Sequence, residues 1–146
     1  MEEDDDKLFA VYNDRLVLLA AQAEEPRRIS SPDLKARAIS PICGSEVEIE
    51  LKLKDNKISD FGFEVEACAL TKSVVAVMRN AIIGKNRNDV RKAGEDMSAM
   101  LGGKDILPTG DWADLGILQP VRDYKARHNS IMLPFEAVEK AFKAKE

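Results

Sequence analysis

The stretch Glu46-Val-Glu-Ile-Glu-Leu-Lys-Leu-Lys54, with Phe61-Gly-Phe-Glu-Val-Glu-Ala-Cys68 a turn later, decides the fold. Val47, Ile49, Leu51 and Leu53 alternate with charged residues, which is the period of a strand with one buried face. Asp55-Asn56 is a turn signal. Phe61, Phe63, Val65 and Ala67 then alternate with Gly62, Glu64 and Glu66, giving the returning strand. The register is constrained by facing. A two-residue loop continued without irregularity sets Val47 opposite Glu64 and mixes the faces. A three-residue loop, or one bulge near Ser59, sets Val47 opposite Val65, Ile49 opposite Phe63 and Leu51 opposite Phe61. The same register carries residue 44 opposite residue 68. Cys43 and Cys68 are then expected as neighbours at the open end of the hairpin.

Outward from the hairpin, the period changes. Leu70, Val74, Val77, Met78, Ala81 and Ile82 form a helical stripe after Cys68 that stops at Gly84. A second helix is expected over about 88–101, ending at Gly102-Gly103, and a short one through Trp112, Leu115 and Leu118. Residues 120–127 read as irregular or briefly extended. A last helix follows, with Pro134 in its first turn and Phe135, Val138 and Phe142 on one face. On the N-terminal side, Leu8, Phe9, Tyr12, Leu16 and Leu19 predict a helix over about 6–22. Residues 24–33 read as a connector and 34–40 as a third strand. Residues 1–6 are expected to be a disordered acidic N-terminus. Lys72 and Arg79 are expected to face water. The fold class is α+β: a small antiparallel sheet of about three strands, packed on one face by helices, its charged face wet.

The chain has 146 residues, 45% apolar and 33% charged, which suits one domain spanning 1–146. Its formal net charge is −4, from 22 basic and 26 acidic residues, which argues against a nucleic-acid binder. No apolar run approaches the roughly 18 residues of a membrane span. The acidic start is unlike a secretory leader, so a cytoplasmic location is expected.

The chain holds two cysteines, Cys43 and Cys68, and one histidine, His128. In a reducing compartment a cysteine pair is more often free, catalytic or metal-binding than disulfide-bonded. Cys43 lies in Ser40-Pro-Ile-Cys43-Gly44, an expected exposed turn. Cys68 is expected where a strand hands over to a helix N-terminus, an environment that favours a thiolate. Taken singly, Cys43 is better read as a small buried hydrophobe and Cys68 is equally well read so; their expected proximity favours a shared site. His128 follows Arg122, Lys125 and Arg127, a basic strip. Alone it reads as a solvated surface histidine. If 128–130 is extended, His128 and Ser130 point the same way and the imidazole can reach the thiols as a third ligand.

These residues carry a resemblance that covers nearly the whole chain. Pro41-Ile-Cys43-Gly44, Phe63-Glu-Val-Glu-Ala-Cys68-Ala-Leu-Thr71-Lys-Ser73, Asp114-Leu-Gly-Ile-Leu118 and Arg127-His-Asn-Ser130-Ile-Met-Leu133-Pro-Phe135-Glu-Ala137 resemble the NifU N-terminal family, the IscU/SufU-type iron–sulfur cluster assembly proteins. The long stretch between Cys68 and Ser130 is similar to the SufU-type subgroup. The family's pattern is Cys-Gly-Asp, then Gly-Cys-Ala-Ile-Ser, then Arg-x-x-Cys-Ala-x-Leu-x-Trp-x-Ala. Its three cysteines and aspartate form one metal or cluster site.

The resemblance implies an assembly protein that acts as a scaffold or persulfide-sulfur acceptor. Cys43 is then the candidate acceptor, and Cys43, Cys68 and His128 are the candidate ligands of zinc or a transient [2Fe–2S] cluster. Two departures stand out. Ser45 occupies the aspartate position and Ser130 the third-cysteine position, and serine is a poor ligand for either metal. Phe135 stands for the tryptophan, and the Leu-Pro-Pro-Val-Lys motif of IscU proteins is absent. The implied partners are a cysteine desulfurase and other iron–sulfur assembly proteins, with a homo-oligomer an option. An alternative reading is a metal-free family member that binds a desulfurase or another assembly factor. A third is a thiol enzyme using Cys68 with His128 as base. A scaffold or sulfur carrier is favoured over a catalyst.

Overall fold

The computed structural model describes residues 13–41 and 44–145. The acidic tail, the expected first turns of the N-terminal helix and Cys43 lie outside them. In chain order the elements are α1 (Asp14–Gln22), β1 (Leu34–Ile39), β2 (Glu46–Lys54), β3 (Lys57–Glu66), α2 (Ala69–Ala81), α3 (Arg87–Leu101), a 3-10 segment (Gly110–Asp123) and α4 (Lys125–Lys145). The strands form one antiparallel sheet in the order β1-β2-β3.

The register is the one that reconciles the faces. Asp55 and Asn56 both have positive φ, the signature of a two-residue hairpin turn, with Leu53 paired to Ile58. A bulge then shifts the ladder, so that Lys52 pairs with Asp60, Leu51 with Phe61, Ile49 with Phe63 and Val47 with Val65. Ser59 is the extra residue, and its hydroxyl donates to the Lys52 carbonyl at 3.2 Å. On the other side of β2, Leu34, Ala36 and Ala38 pair with Leu51, Ile49 and Val47. All three strands thus turn one apolar face to the core.

That face is covered by helices. α2 is buried along nearly its whole length, with Leu70, Val74, Val75, Ala76, Val77 and Met78 in the core. α4 lies on β1 and β2. The 3-10 segment adds Trp112, Leu115, Leu118 and Val121. Phe135 packs its ring against Trp112 at 5.9 Å between centroids, so an aromatic is kept at that position. α1 is capped by Asn13, whose side chain accepts from the Leu16 amide, and α3 by a reciprocal Asn86–Asp89 box.

Three expectations are corrected. The charged sheet face is not uniformly wet: Glu48 is 9% and Glu50 5% exposed. The connector runs over this face as a strap. Arg27 exchanges two backbone hydrogen bonds with Phe63, and Arg28 reaches Glu48 and Glu64 and comes within 3.8 Å of Glu50. Glu48 and Glu64 are cross-strand partners, as are Glu46 and Glu66, so without cations these pairs repel. Gly62 permits the strap: a Cβ there would sit 2.8 Å from the Arg27 carbonyl oxygen and 2.9 Å from Glu50 Oε1. Second, Lys72 is half-buried rather than facing water, while Arg79 is exposed as expected. Lys72 pairs with Glu24 at 2.7 Å, and Arg79 lies over the Phe63 ring.

Third, residues 120–127 are not extended, and the last helix begins at Lys125 rather than near Pro134. Pro134 therefore lies inside α4, where it has no N–H to give the Ser130 carbonyl four residues back. The Thr71 hydroxyl donates to that carbonyl instead, at 3.2 Å.

Candidate functional site

At the end of the sheet away from the hairpin turn, three elements bring their ends together. Ser45 immediately precedes β2, Cys68 is the N-cap residue of α2, and Ser130 faces them from α4. They line a pocket of about 560 Å³ with Gly44, Glu66, Ala67 and Arg127. Gly44, the chain neighbour of Cys43, has a φ of +73°, which suits glycine in a tight turn. The Gly44 amide donates to the Ser40 carbonyl at 2.9 Å, and the Ser40 amide to the Ser45 carbonyl at 2.8 Å. These bonds tie Gly44 and Ser45 back to Ser40.

The side chains of the site are linked. Ser130 Oγ donates to Ser45 Oγ at 3.1 Å and lies 2.8 Å from Thr71 Oγ1. Thr71 Oγ1 is 3.7 Å from Cys68 Sγ. With Ser130 donating to Ser45, the Thr71 proton faces Ser130 and is shared between its hydroxyl and its carbonyl. The Cys68 thiol can in turn donate to Thr71 Oγ1. Ser45 is 8% exposed, Ser130 3% and Thr71 fully buried. Cys68 is only partly buried and makes no capping hydrogen bond, so it is the most exposed residue of the group.

The structure joins Ser45, Cys68 and Ser130, three of the residues singled out from the sequence. Cys43 lies outside the described residues. His128 is placed differently from the expectation. Residues 128–130 are helical, so side chains two apart point to well-separated faces, about 200° around the axis. The imidazole Nε2 lies 2.9 Å from the Val121 carbonyl oxygen. A carbonyl only accepts, so Nε2 carries the proton. His128 is not among the residues lining the Cys68 pocket. Among the described residues no three His, Cys, Asp or Glu side chains gather as a metal would require.

Thr71 lies in the motif that carries the family resemblance, yet the sequence alone assigns it no part in the site. The signal was available: it is three residues after Cys68 at a helix start, the spacing that puts side chains on one face. Glu66 and Arg127 were likewise not assigned to the pocket wall. No described helix is long and apolar enough to cross a membrane.

Comparison with known proteins agrees with this architecture. A curated relative, the zinc-dependent sulfurtransferase SufU of Bacillus subtilis, is 29% identical over 107 residues, 73% of each chain. The iron–sulfur cluster assembly scaffold protein IscU of Streptococcus pyogenes serotype M1 is 23% identical over 71% of this chain and 65% of its own. The crystal structure of a nitrogen-fixing NifU-like protein (N-terminal) from Brucella abortus superposes with a TM-score of 0.87 at 37% identity, covering 94% of this chain and 95% of that one. Residues 21–131 match the NifU-like N-terminal domain, and the chain belongs to that family.

Proposed function

We propose that this chain accepts sulfur from a cysteine desulfurase during iron–sulfur cluster assembly, with Cys43 as the acceptor thiol and Cys68 as the second thiol of the same site. The observation that carries this reading is the convergence of Cys68 with Ser45 and Ser130 on one open pocket. In chemical terms, the acceptor thiolate attacks the terminal sulfur of a donor persulfide. The S–S bond of the donor breaks, its cysteine leaves as a thiolate, and a new persulfide forms on the acceptor. No net oxidation occurs. Arg127 on the pocket wall offers positive charge to the anionic sulfur species.

The Bacillus subtilis relative is named for its zinc dependence, and the IscU relative for its role as a scaffold. The donors among the described residues do not fit a resident zinc or cluster. Ser45 and Ser130 present neutral hydroxyls already hydrogen-bonded to one another, and the His128 Nε2 proton is held by Val121. No step of the proposed transfer passes through a metal.

The test is to mix the protein with a cysteine desulfurase and free cysteine without oxygen and to read intact mass. One added sulfur atom per chain is expected. It is lost in Cys43→Ala, reduced in Cys68→Ala and unchanged in His128→Gln. A stable complex with the desulfurase but no added sulfur would instead make the chain a binding module. Loss of transfer in His128→Gln would restore the histidine to the site.

A further inference from the structure

A four-coordinate zinc, with Zn–S near 2.3 Å and Zn–O near 2.0–2.2 Å, holds its ligand atoms about 3.3–3.8 Å apart. The Ser45–Ser130 and Ser130–Thr71 oxygens are 3.1 and 2.8 Å apart, in hydrogen-bond contact with no space for an ion between them. These hydroxyls are buried, so opening them to a metal would break hydrogen bonds that water does not immediately replace.

A second, independent constraint fixes Ser130. Pro134 leaves its carbonyl without the usual i+4 N–H, and Thr71 donates to it. Thr71 thus holds Ser130 by both main chain and side chain, and a metal drawing Thr71 or Ser130 outward would orphan a buried carbonyl. The one histidine is turned to the Val121 carbonyl and does not line the pocket.

We infer that the hydrogen-bonded hydroxyls of Ser45, Thr71 and Ser130 take the place of a resident metal at this site, leaving Cys68 as a free thiol. The inference rests on the proposed sulfur transfer for the site's purpose, but its test does not depend on transfer occurring. Sulfur can then be received without displacing or exchanging a ligand on an ion. The bridge also explains how the pocket stays ordered without a metal to cross-link β2, α2 and α4: three hydroxyls make the ties that metal–ligand bonds would otherwise make.

The experiment is a zinc competition titration against a chromophoric chelator, on reduced protein, comparing the natural chain with the Ser45→Asp/Ser130→Cys double variant. Melting temperature with and without zinc is the second readout. The double variant is expected to hold zinc at least about 100-fold more tightly than the natural chain and to gain melting temperature when zinc is added. The natural chain is expected to show no zinc-dependent shift. Ser130→Cys alone nearly preserves volume and keeps the test available if the double variant does not fold; its zinc affinity should also exceed that of the natural chain.

Two results would overturn the inference. One is a natural chain that holds one zinc as tightly as the variants. The other is folded variants that gain no affinity, since Ser45 and Ser130 would then not face a common centre. Failure of sulfur transfer with the expected zinc result would sink the proposed function and leave the hydroxyl bridge standing.

Discussion

The two polar regions of this sheet are built on opposite principles. On the outer face, Arg28, Lys35 and Arg37 surround Glu48 and Glu50 in an ionic net, and the strap carrying Arg28 seals it. At the sheet's open end, Ser45, Thr71 and Ser130 are neutral, and the Cys68 thiol lines the pocket with them. Charge is used where nothing needs to enter, because a paired carboxylate cluster is a closed arrangement. Neutral hydroxyls line the side on which Cys68 is left partly exposed. Glu66 and Arg127 stand on the pocket wall, but the groups hydrogen-bonded around the Cys68 thiol are neutral.

The largest expected effect comes from breaking the ionic region. Arg28→Ala leaves Glu48 and Glu50 buried and sets Glu48 against Glu64. Removing one partner of a buried pair costs about 3–5 kcal/mol. The Arg28 side chain is 44% exposed, and Lys35 and Arg37 remain, so a loss of about 2 kcal/mol is expected in denaturant unfolding. The hydrogen bond from Arg28 holds the Glu48 carboxyl below its ordinary range. A depressed carboxylate contributes stability above its unfolded pKa and loses it as pH falls through the folded value. The natural chain should therefore lose stability in acid, and Arg28→Ala should show a shallower loss over the same window. A loss in Arg28→Ala below about 0.5 kcal/mol, the range of ordinary surface changes, would mean the strap is not sealing the face.

A somewhat smaller effect is expected between α3 and α4. The Glu139 carboxyl is pulled from 4.5 to about 2, chiefly by its hydrogen bond to Arg87 and then by Arg91. Its contribution is complete above about pH 4.5 and disappears as pH approaches 2. Glu139→Gln should cost about 1.5 kcal/mol at neutral pH and flatten the acid limb between those values. An unchanged acid limb would assign that limb to the outer sheet face alone.

How much of this was legible in the sequence follows the same division. The hairpin register was legible because period-two alternation leaves only one pairing with both apolar faces inward; whether a longer loop or a bulge near Ser59 set it was decided by the structure. The convergence of positions 44 and 68 followed from it. The strap was not legible: Glu24 to Asp33 has no periodicity, and Arg28 reveals its role only once cross-strand glutamates need a cation. The start of α4 was missed because Arg122, Asp123, Lys125, Ala126 and Arg127 are all exposed and mark no apolar face. That miss propagated to the site. The ligand reading of His128 needed an extended 128–130, whereas the helix there directs it to Val121. It also hid the consequence of Pro134, which matters only when it lies inside a helix.

The smallest expected effect tests whether the neutral region is one unit. Thr71→Val keeps the shape of a fully buried side chain but removes the donor to the Ser130 carbonyl and the contact to the Ser130 hydroxyl. A cost of about 1–1.5 kcal/mol is expected. Pro134→Ala restores a backbone N–H beneath the same carbonyl, making the Thr71 donation partly redundant. The double variant should therefore lose less than the sum of the two changes implies, by about 0.5–1 kcal/mol in a double-mutant cycle. Strict additivity would mean that Thr71 and Pro134 act independently, and the Ser130 carbonyl would no longer couple the helix to the site. Positive coupling would show that a proline inside α4 is tolerated because a hydroxyl on α2 answers the carbonyl it leaves bare.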